Sequence, residues 1–114
     1  MSDDRSEPRP VVTTYRLTPG MAEKRIRAAA STPGGVTFGT HSRERMLERE
    51  IDDVDVLRVL RSGTICGEPE PAELGEWKCK IVMKLKGARE VGVLAIILRN
   101  KRLFVKTVEW EDIR

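Results

Sequence analysis

The hydrophobic positions change their period once along the chain, from helical spacing to strict alternation. Between residues 19 and 62 the apolar side chains recur at helical intervals, and Thr18 followed by Pro19 and, later, Asp52 are residues that begin helices. The Pro33-Gly34-Gly35 segment is a helix stop. We therefore predict a helix after Thr18, a central charged helix capped by Thr40, and a third helix after Asp52.

From Thr64 onward the pattern is typical of β-strands. In residues 77–85 the odd positions are apolar, whereas Lys78, Lys80 and Lys84 share the even face. Residues 91–98 form an unbroken apolar run, which suits a central strand covered on both sides. With a short strand near residue 64 and a last strand at 103–110, the pattern predicts an α+β layer fold in which helices precede an antiparallel sheet of about four strands.

The same pattern divides the chain into three parts. Residues 1–18 mix charged residues with proline and predict a flexible N-terminal arm. Residues 19–35 hold an accessory helix and the Pro-Gly-Gly linker, and residues 36–114 hold the α+β domain. A chain of 114 residues is long enough for one small core but not for two.

Composition narrows the class of protein. No apolar run is long enough to cross a membrane, and the first ten residues lack an apolar signal core, so we expect a cytoplasmic protein without a membrane partner. Cys66 and Cys79 form no CxxC or Cys/His cluster, so we expect no metal, no cofactor and no disulfide, and predict that both pack as small apolar side chains.

Positive charge is concentrated in the second half of the chain. The net charge of the whole sequence is only +3. Between Glu76 and Lys106, however, nine basic residues stand against two acidic ones, a net charge of +7. A basic sheet of this kind is a plausible electrostatic footprint for phosphate.

The segment from His41 to Ile51 carries the residue types that suggest chemistry. His41 is the only histidine, and on a helix His41, Arg45 and Arg49 line one flank about one turn apart. The segment has too few apolar residues to be held by hydrophobic burial alone. It therefore presents a row of cations with one titratable member.

The pattern His41-x-x-x-Arg45-Met46-x-x-Arg49-x-Ile51, followed by an acidic helix start and three strands, resembles a known group. It is similar to the small toxin-like domain family of unassigned function that belongs with RelE-, BrnT- and MqsR-type toxins, the RelE-like branch of the barnase/colicin-like RNase fold. The resemblance covers roughly residues 38–111.

The resemblance implies a metal-independent endoribonuclease of a toxin–antitoxin pair, held inactive by a cognate antitoxin protein. Its substrate would be RNA, including ribosome-bound mRNA, cleaved by attack of the ribose 2′-hydroxyl on the adjacent phosphate. The family motif carries over only to His41, Arg45 and Arg49; tyrosine is missing from the region, since Tyr15 lies in the arm. We assign His41, Arg45, Lys80 and Lys106 as candidate catalytic residues, and Arg49, Lys78, Lys84 and Arg99 as candidate RNA-binding residues.

Structural roles remain open beside these functional ones. His41 could cap its helix or bond a neighbouring strand, and Arg45 and Arg49 could pair with Glu44 or Glu48. The strand lysines could form a solvated face that discourages edge-to-edge association. A non-catalytic RNA-binding or protein-binding module on the same fold is therefore the alternative function. Within the nuclease reading, Glu109 is a further candidate base if Lys106 lies on the other strand face.

Overall fold

A computed structural model describes residues 16–85, 87 and 89–111. These residues form three α-helices and one open, mixed sheet of six strands. No helix among them is long and apolar enough to span a membrane. Most of the N-terminal arm lies outside the described residues, but Leu17 is buried in the core. In chain order the elements are α1 (Pro19–Ala30), β1 (Val36–Phe38), α2 (Thr40–Arg49), α3 (Asp53–Ser62), β2 (Thr64–Ile65), β3 (Glu70–Pro71), β4 (Trp77–Leu85), β5 (Arg89–Ile97) and β6 (Leu103–Trp110).

The sheet confirms the α+β class but corrects the predicted number and direction of strands. Its order is β1-β6-β5-β4-β2, and β3 pairs with the other half of β4. Strands β4, β5 and β6 form the predicted antiparallel meander. The sheet is mixed because β1 pairs with β6 in parallel. The prediction missed this pairing because the three residues of β1 carry no detectable strand period, and it did not include β3.

One face of the sheet is covered by helices and forms the core. Alternate residues of β4 and β5 turn toward α3, against which α1 packs, and the side chains of Ile81, Val93 and Ala95 are buried there. Val56, Val59 and Leu60 of α3 are buried as well. We call the other side the open face. Its charged residues are Lys78, Lys80 and Lys84 of β4, Glu90 of β5 and Glu109 of β6.

A β-bulge changes the phase of β6 halfway along its length. Leu94 pairs with Thr107 but Ala95 pairs with Val105, so Lys106 is the extra residue. Val105 is buried before the bulge and Val108 is buried after it, although the two differ in parity. The bulge therefore turns Thr107 and Glu109 to the open face.

Helices α1 and α3 each donate an arginine hydrogen bond to a carbonyl at the C-terminal end of the other helix. The Arg27 side chain of α1 donates to the carbonyl of Gly63 at 3.1 Å, and Arg61 of α3 donates to the carbonyl of Ala30 at 3.1 Å. The last carbonyls of a helix lack partners within the helix and carry partial negative charge. The predicted accessory helix is thus packed on the domain, with Ala22 and Ile26 fully buried.

Two of the three predicted helix starts are confirmed. Thr18 accepts a hydrogen bond from the backbone N–H of Met21, and Asp52 forms a reciprocal capping box with Asp55. The third was wrong, because Gly39, and not Thr40, is the N-cap of α2. A Cβ at Gly39 would lie 2.6 Å from Cζ of Phe104, so the helix begins where only glycine fits.

The two cysteines have different environments. Cys79 is buried on the inner side of β4, and burial raises the pKa of its thiol to about 11. Cys66 is exposed, so the prediction that both cysteines are packed holds only for Cys79.

The capping box yields a stability prediction. We expect Asp52→Ala to lower the free energy of unfolding by about 1 kcal/mol, because it removes the acceptor for the Asp55 N–H at 2.9 Å. Asp53→Ala is the matched control, since it removes an exposed ion pair with Arg43 and a first-turn acid but no cap, and should cost a few tenths of a kcal/mol. Urea unfolding measures both, and equal losses would contradict the role of the cap.

Candidate functional site

The row formed by His41, Arg45 and Arg49 faces away from the helical layer. Ser42 and Met46 are the buried residues of α2. On one side of them Arg43 bonds Asp53 of α3 at 2.6 Å. Because residues four apart share a helix flank, the three candidate residues occupy the opposite side, toward the open face.

Helix α2 lies along β6, the strand that carries Glu109. Near its start, the N–H of Gly39 donates to the carbonyl of Val105 at 3.2 Å. At its end, Nε1 of Trp110 donates to the carbonyl of Arg49 at 3.1 Å. His41 therefore lies toward the middle of β6 and Arg49 lies at its C-terminal end.

The members of this row differ in how they are held. Arg45 contacts Glu48 at 2.8 Å, and Arg49 lies 3.8 Å from the same carboxylate oxygen. The Nη1 atom of Arg49 is buried and makes no hydrogen bond within the described chain. His41 is exposed, and no hydrogen bond joins its imidazole to a described residue.

An ion cluster at the centre of the open face joins two strands. The ammonium of Lys80 lies 2.7 Å from Oε1 of Glu111 and 3.4 Å from Oε2 of Glu109. The side chain of Glu111 is only 18% exposed, and its Oε2 is buried without a hydrogen bond from any described residue. Glu109 is 47% exposed, so its carboxylate is the more accessible of the two.

Gly92 of β5 makes room for this cluster. A Cβ at this position would overlap Oε2 of Glu111 and would lie 3.1 Å from Cε of Lys80. The Lys80 side chain therefore crosses β5 over a residue that has no side chain. An isolated glycine in an apolar strand signals such a close approach.

The carboxylates change the ionisation of Lys80. The hydrogen bond from Lys80 to Glu111 is the main cause that raises its pKa above the usual value, although desolvation acts in the opposite direction. The Coulombic attraction of Glu111 and the contact with Glu109 add to the increase. Lys80 is therefore a fixed cation across the neutral range.

The structure brings some predicted residues together and separates others. Lys80 and Lys84 share the open face, and Lys84 lies opposite Glu90 in the β4–β5 register.

The other predicted lysines and Arg99 lie apart from this pair. Lys106 is exposed at the bulge. Lys78 pairs with Glu70 at 3.5 Å. Arg99 lies in the β5–β6 turn, at the opposite end of the sheet from Glu111, and is thus the most remote of the candidate RNA-binding residues.

Glu111 was not predicted from the sequence, and Glu109 was predicted only as a conditional base. Strict alternation would place Lys106 and Glu109 on opposite faces, whereas the bulge leaves Lys106 exposed and Glu109 on the open face. The sequence feature that could have indicated Glu111 is Gly92, because a glycine within an apolar strand marks the close approach of another group. Within the described residues no group of three or more His, Cys, Asp or Glu side chains could hold a metal ion.

The family comparison covers both α2 and the open face. Residues 38–110, well over half of the chain, match the family described as a domain of unknown function, DUF4258. The chain belongs to this family. No curated protein and no solved structure matches it. The DUF4258 region begins at Phe38 and ends at Trp110, so it contains His41, Lys80 and Glu109 but not α1.

The raised pKa of Lys80 predicts a pH-dependent stability. A lysine whose pKa is higher in the folded chain stabilises the fold fully below its unfolded pKa, near 10.5, and loses this contribution as pH rises through the folded value. We expect Lys80→Met to lower the free energy of unfolding by about 1 kcal/mol near pH 7. The difference from the unsubstituted protein should shrink above about pH 10.5.

Lys84→Met is the matched control, since Lys84 lies on the same strand face and forms no ion pair with a described residue. Urea unfolding at several pH values measures both variants. A Lys80→Met effect that does not change with pH, or that Lys84→Met reproduces, would contradict the proposed ion cluster.

The close approach at Gly92 predicts a second effect. We expect Gly92→Ala to displace the Glu111 carboxylate, because the new Cβ would occupy its position, and so to return the pKa of Lys80 toward its usual value. The protein should stay folded, since the end of a flexible side chain can move. NMR titration of the Lys80 ε-methylene measures the pKa. Gly20→Ala, where a Cβ meets open space, should leave it unchanged.

Proposed function

We propose that this protein binds RNA across the open face and cleaves it by attack of a ribose 2′-hydroxyl on the adjacent phosphate. The observation that supports the proposal is the position of α2 along β6. The helix carries His41, and the strand carries Glu109, which contacts Lys80. An acid, a base and cations are the groups that this reaction needs.

In the proposed reaction, the carboxylate of Glu109 takes the proton of the 2′-hydroxyl, and the 2′-oxygen forms a bond to phosphorus. The bond from phosphorus to the 5′-oxygen breaks, and His41 gives a proton to the departing oxygen. The products are a 2′,3′-cyclic phosphate and a free 5′-hydroxyl. Lys80 and Arg45 stabilise the charge that develops on the phosphoryl oxygens.

The remaining basic residues serve affinity in this proposal. Lys84 is exposed on the same face and can meet a neighbouring phosphate as a point charge. Lys78 lies beside a surface cavity of about 270 Å³ that also touches Lys80 and Leu94, which offers a nucleotide a partly apolar contact. Lys106 and Arg49 extend the basic surface along β6 and α2, and Arg99 extends it past the far end of the sheet.

We also propose that this protein is the toxin of a toxin–antitoxin pair. The resemblance of the His41-to-Ile51 motif to toxin-like domains supports this assignment. It would act on free or ribosome-bound mRNA and be neutralised by a cognate antitoxin protein.

A non-catalytic RNA-binding module is the second candidate, and a specific observation favours it. Both arginines of the α2 row contact Glu48, and Lys80 contacts two carboxylates. These acids neutralise part of the cationic surface. Such a module would bind RNA with an affinity that falls steeply with salt and would leave the strand intact.

The decisive experiment is cleavage of a labelled RNA mixture in EDTA by the purified protein and by His41→Ala and Glu109→Gln. We expect the unsubstituted protein to leave 2′,3′-cyclic phosphate ends. Each variant should lose at least about tenfold in rate, equivalent to about 1.4 kcal/mol of barrier. Both side chains are exposed, so thermal melts should show that the variants stay folded.

Arg45→Ala tests whether a cation at the proposed site is needed for cleavage, and Arg58→Ala is its control. Arg45 faces the proposed site, whereas Arg58 is an exposed residue of α3, so only Arg45→Ala should slow cleavage. If RNA stays intact with every protein, both free and on ribosomes, the nuclease is rejected. Salt-dependent RNA binding without cleavage would then support the second candidate.

A further inference from the structure

A second surface lies on the other flank of α2, away from the open face. Met46 and Ile51, which are otherwise buried, reach the floor of a cavity of about 510 Å³ between α2 and the start of α3. Leu47 lines the cavity and is 82% exposed. Val54, in the first turn of α3, is 67% exposed. An apolar groove with large exposed side chains at its margin is typical of protein-binding surfaces.

The charge around this groove is opposite in sign to that of the chain. Its lining contains Glu50, Asp52 and Asp53 against a single cation, Arg43, although the whole sequence has a net charge of +3. Arg43 is already bonded to Asp53, and Asp52 caps α3. The carboxylate of Glu50 has no ion pair or hydrogen bond with any described residue.

Glu50 also occupies a backbone position that favours glycine. It is the C-cap of α2 with φ of 57°, in the left-handed region. A side chain there costs about 1 kcal/mol relative to glycine. This conformational cost occurs at a position where the side chain places an unpaired carboxylate on the rim of an apolar groove.

We propose that this groove docks a partner protein through an amphipathic helix whose apolar side chains are flanked by lysine or arginine. The floor of Met46 and Ile51 would receive the apolar side chains, and Leu47 would extend the contact along the helix. The carboxylate of Glu50 would meet the basic flank of the partner, where charge complementarity selects against acidic helices. This inference is independent of RNA cleavage, because its residues lie on the opposite flank of α2 from His41.

The probe is a synthetic helical peptide of about 16 residues with leucine at i, i+4 and i+7 spacing and lysine on both flanks. Its counterpart has glutamate in place of every lysine. Titration into the isotope-labelled protein should shift the NMR signals of Met46, Leu47 and Ile51 with the lysine peptide but not with the glutamate peptide. Fluorescence anisotropy of the same labelled peptide gives the affinity.

Two substitutions and a matched control decide the result. We expect Leu47→Asp to weaken binding at least about tenfold and Glu50→Lys to weaken it several-fold. Leu74→Asp should have no effect, because Leu74 is 83% exposed but lies in the loop before β4, outside the groove. All three positions are exposed, so the variants should fold.

The inference is overturned if the lysine peptide does not bind, if its signals map to the open face, or if Leu74→Asp weakens it as much as Leu47→Asp. Sedimentation of the protein alone tests a second occupant. Self-association that Leu47→Asp abolishes would mean that the groove receives another copy of this chain, and would also overturn the proposed partner.

Discussion

The arrangement of the open face depends on one irregularity, the extra residue at Lys106 in β6. A regular strand that buries Leu103 and Val105 would also bury position 109, which is a glutamate. An uncompensated carboxylate in that core would be costly. The bulge shifts the phase by one residue, so that Val108 completes the core and Glu109 reaches the open face. The hydrophobic core and the ion cluster of Lys80 are thus consequences of the same local defect.

The ion cluster in turn depends on an absent side chain. Lys80 sits on β4, its carboxylate partners sit on β6 or directly after it, and β5 runs between them. A side chain at position 92 would stand in the path of the lysine, whereas Gly92 leaves the path clear. The pair of Lys80 and Glu111 is therefore a cross-sheet tie, in addition to any role that Lys80 has toward RNA.

The sequence predicts well those parts of the fold whose causes are local. Thr18 with Pro19, and Asp52 with its capping box, begin helices through bonds within a few residues, and the alternation in β4 follows from burial of one face. The parallel pairing of β1 with β6 joins residues about sixty-seven positions apart, such as Val36 and Leu103, and no local pattern announces it. The bulge also depends on the partner strand, so the face of Glu109 could not be assigned from alternation alone.

Helix α2 separates two surfaces of different chemistry. With only Ser42 and Met46 buried, it presents two wide flanks instead of one broad apolar face. Its ends are tied to β6 by the Gly39 and Trp110 hydrogen bonds, which hold the helix in place where hydrophobic burial is limited. One flank then carries His41 and arginines toward the open face, and the other carries Leu47 toward the acidic groove. The low apolar content of this segment is therefore the physical reason that one short helix can serve both surfaces.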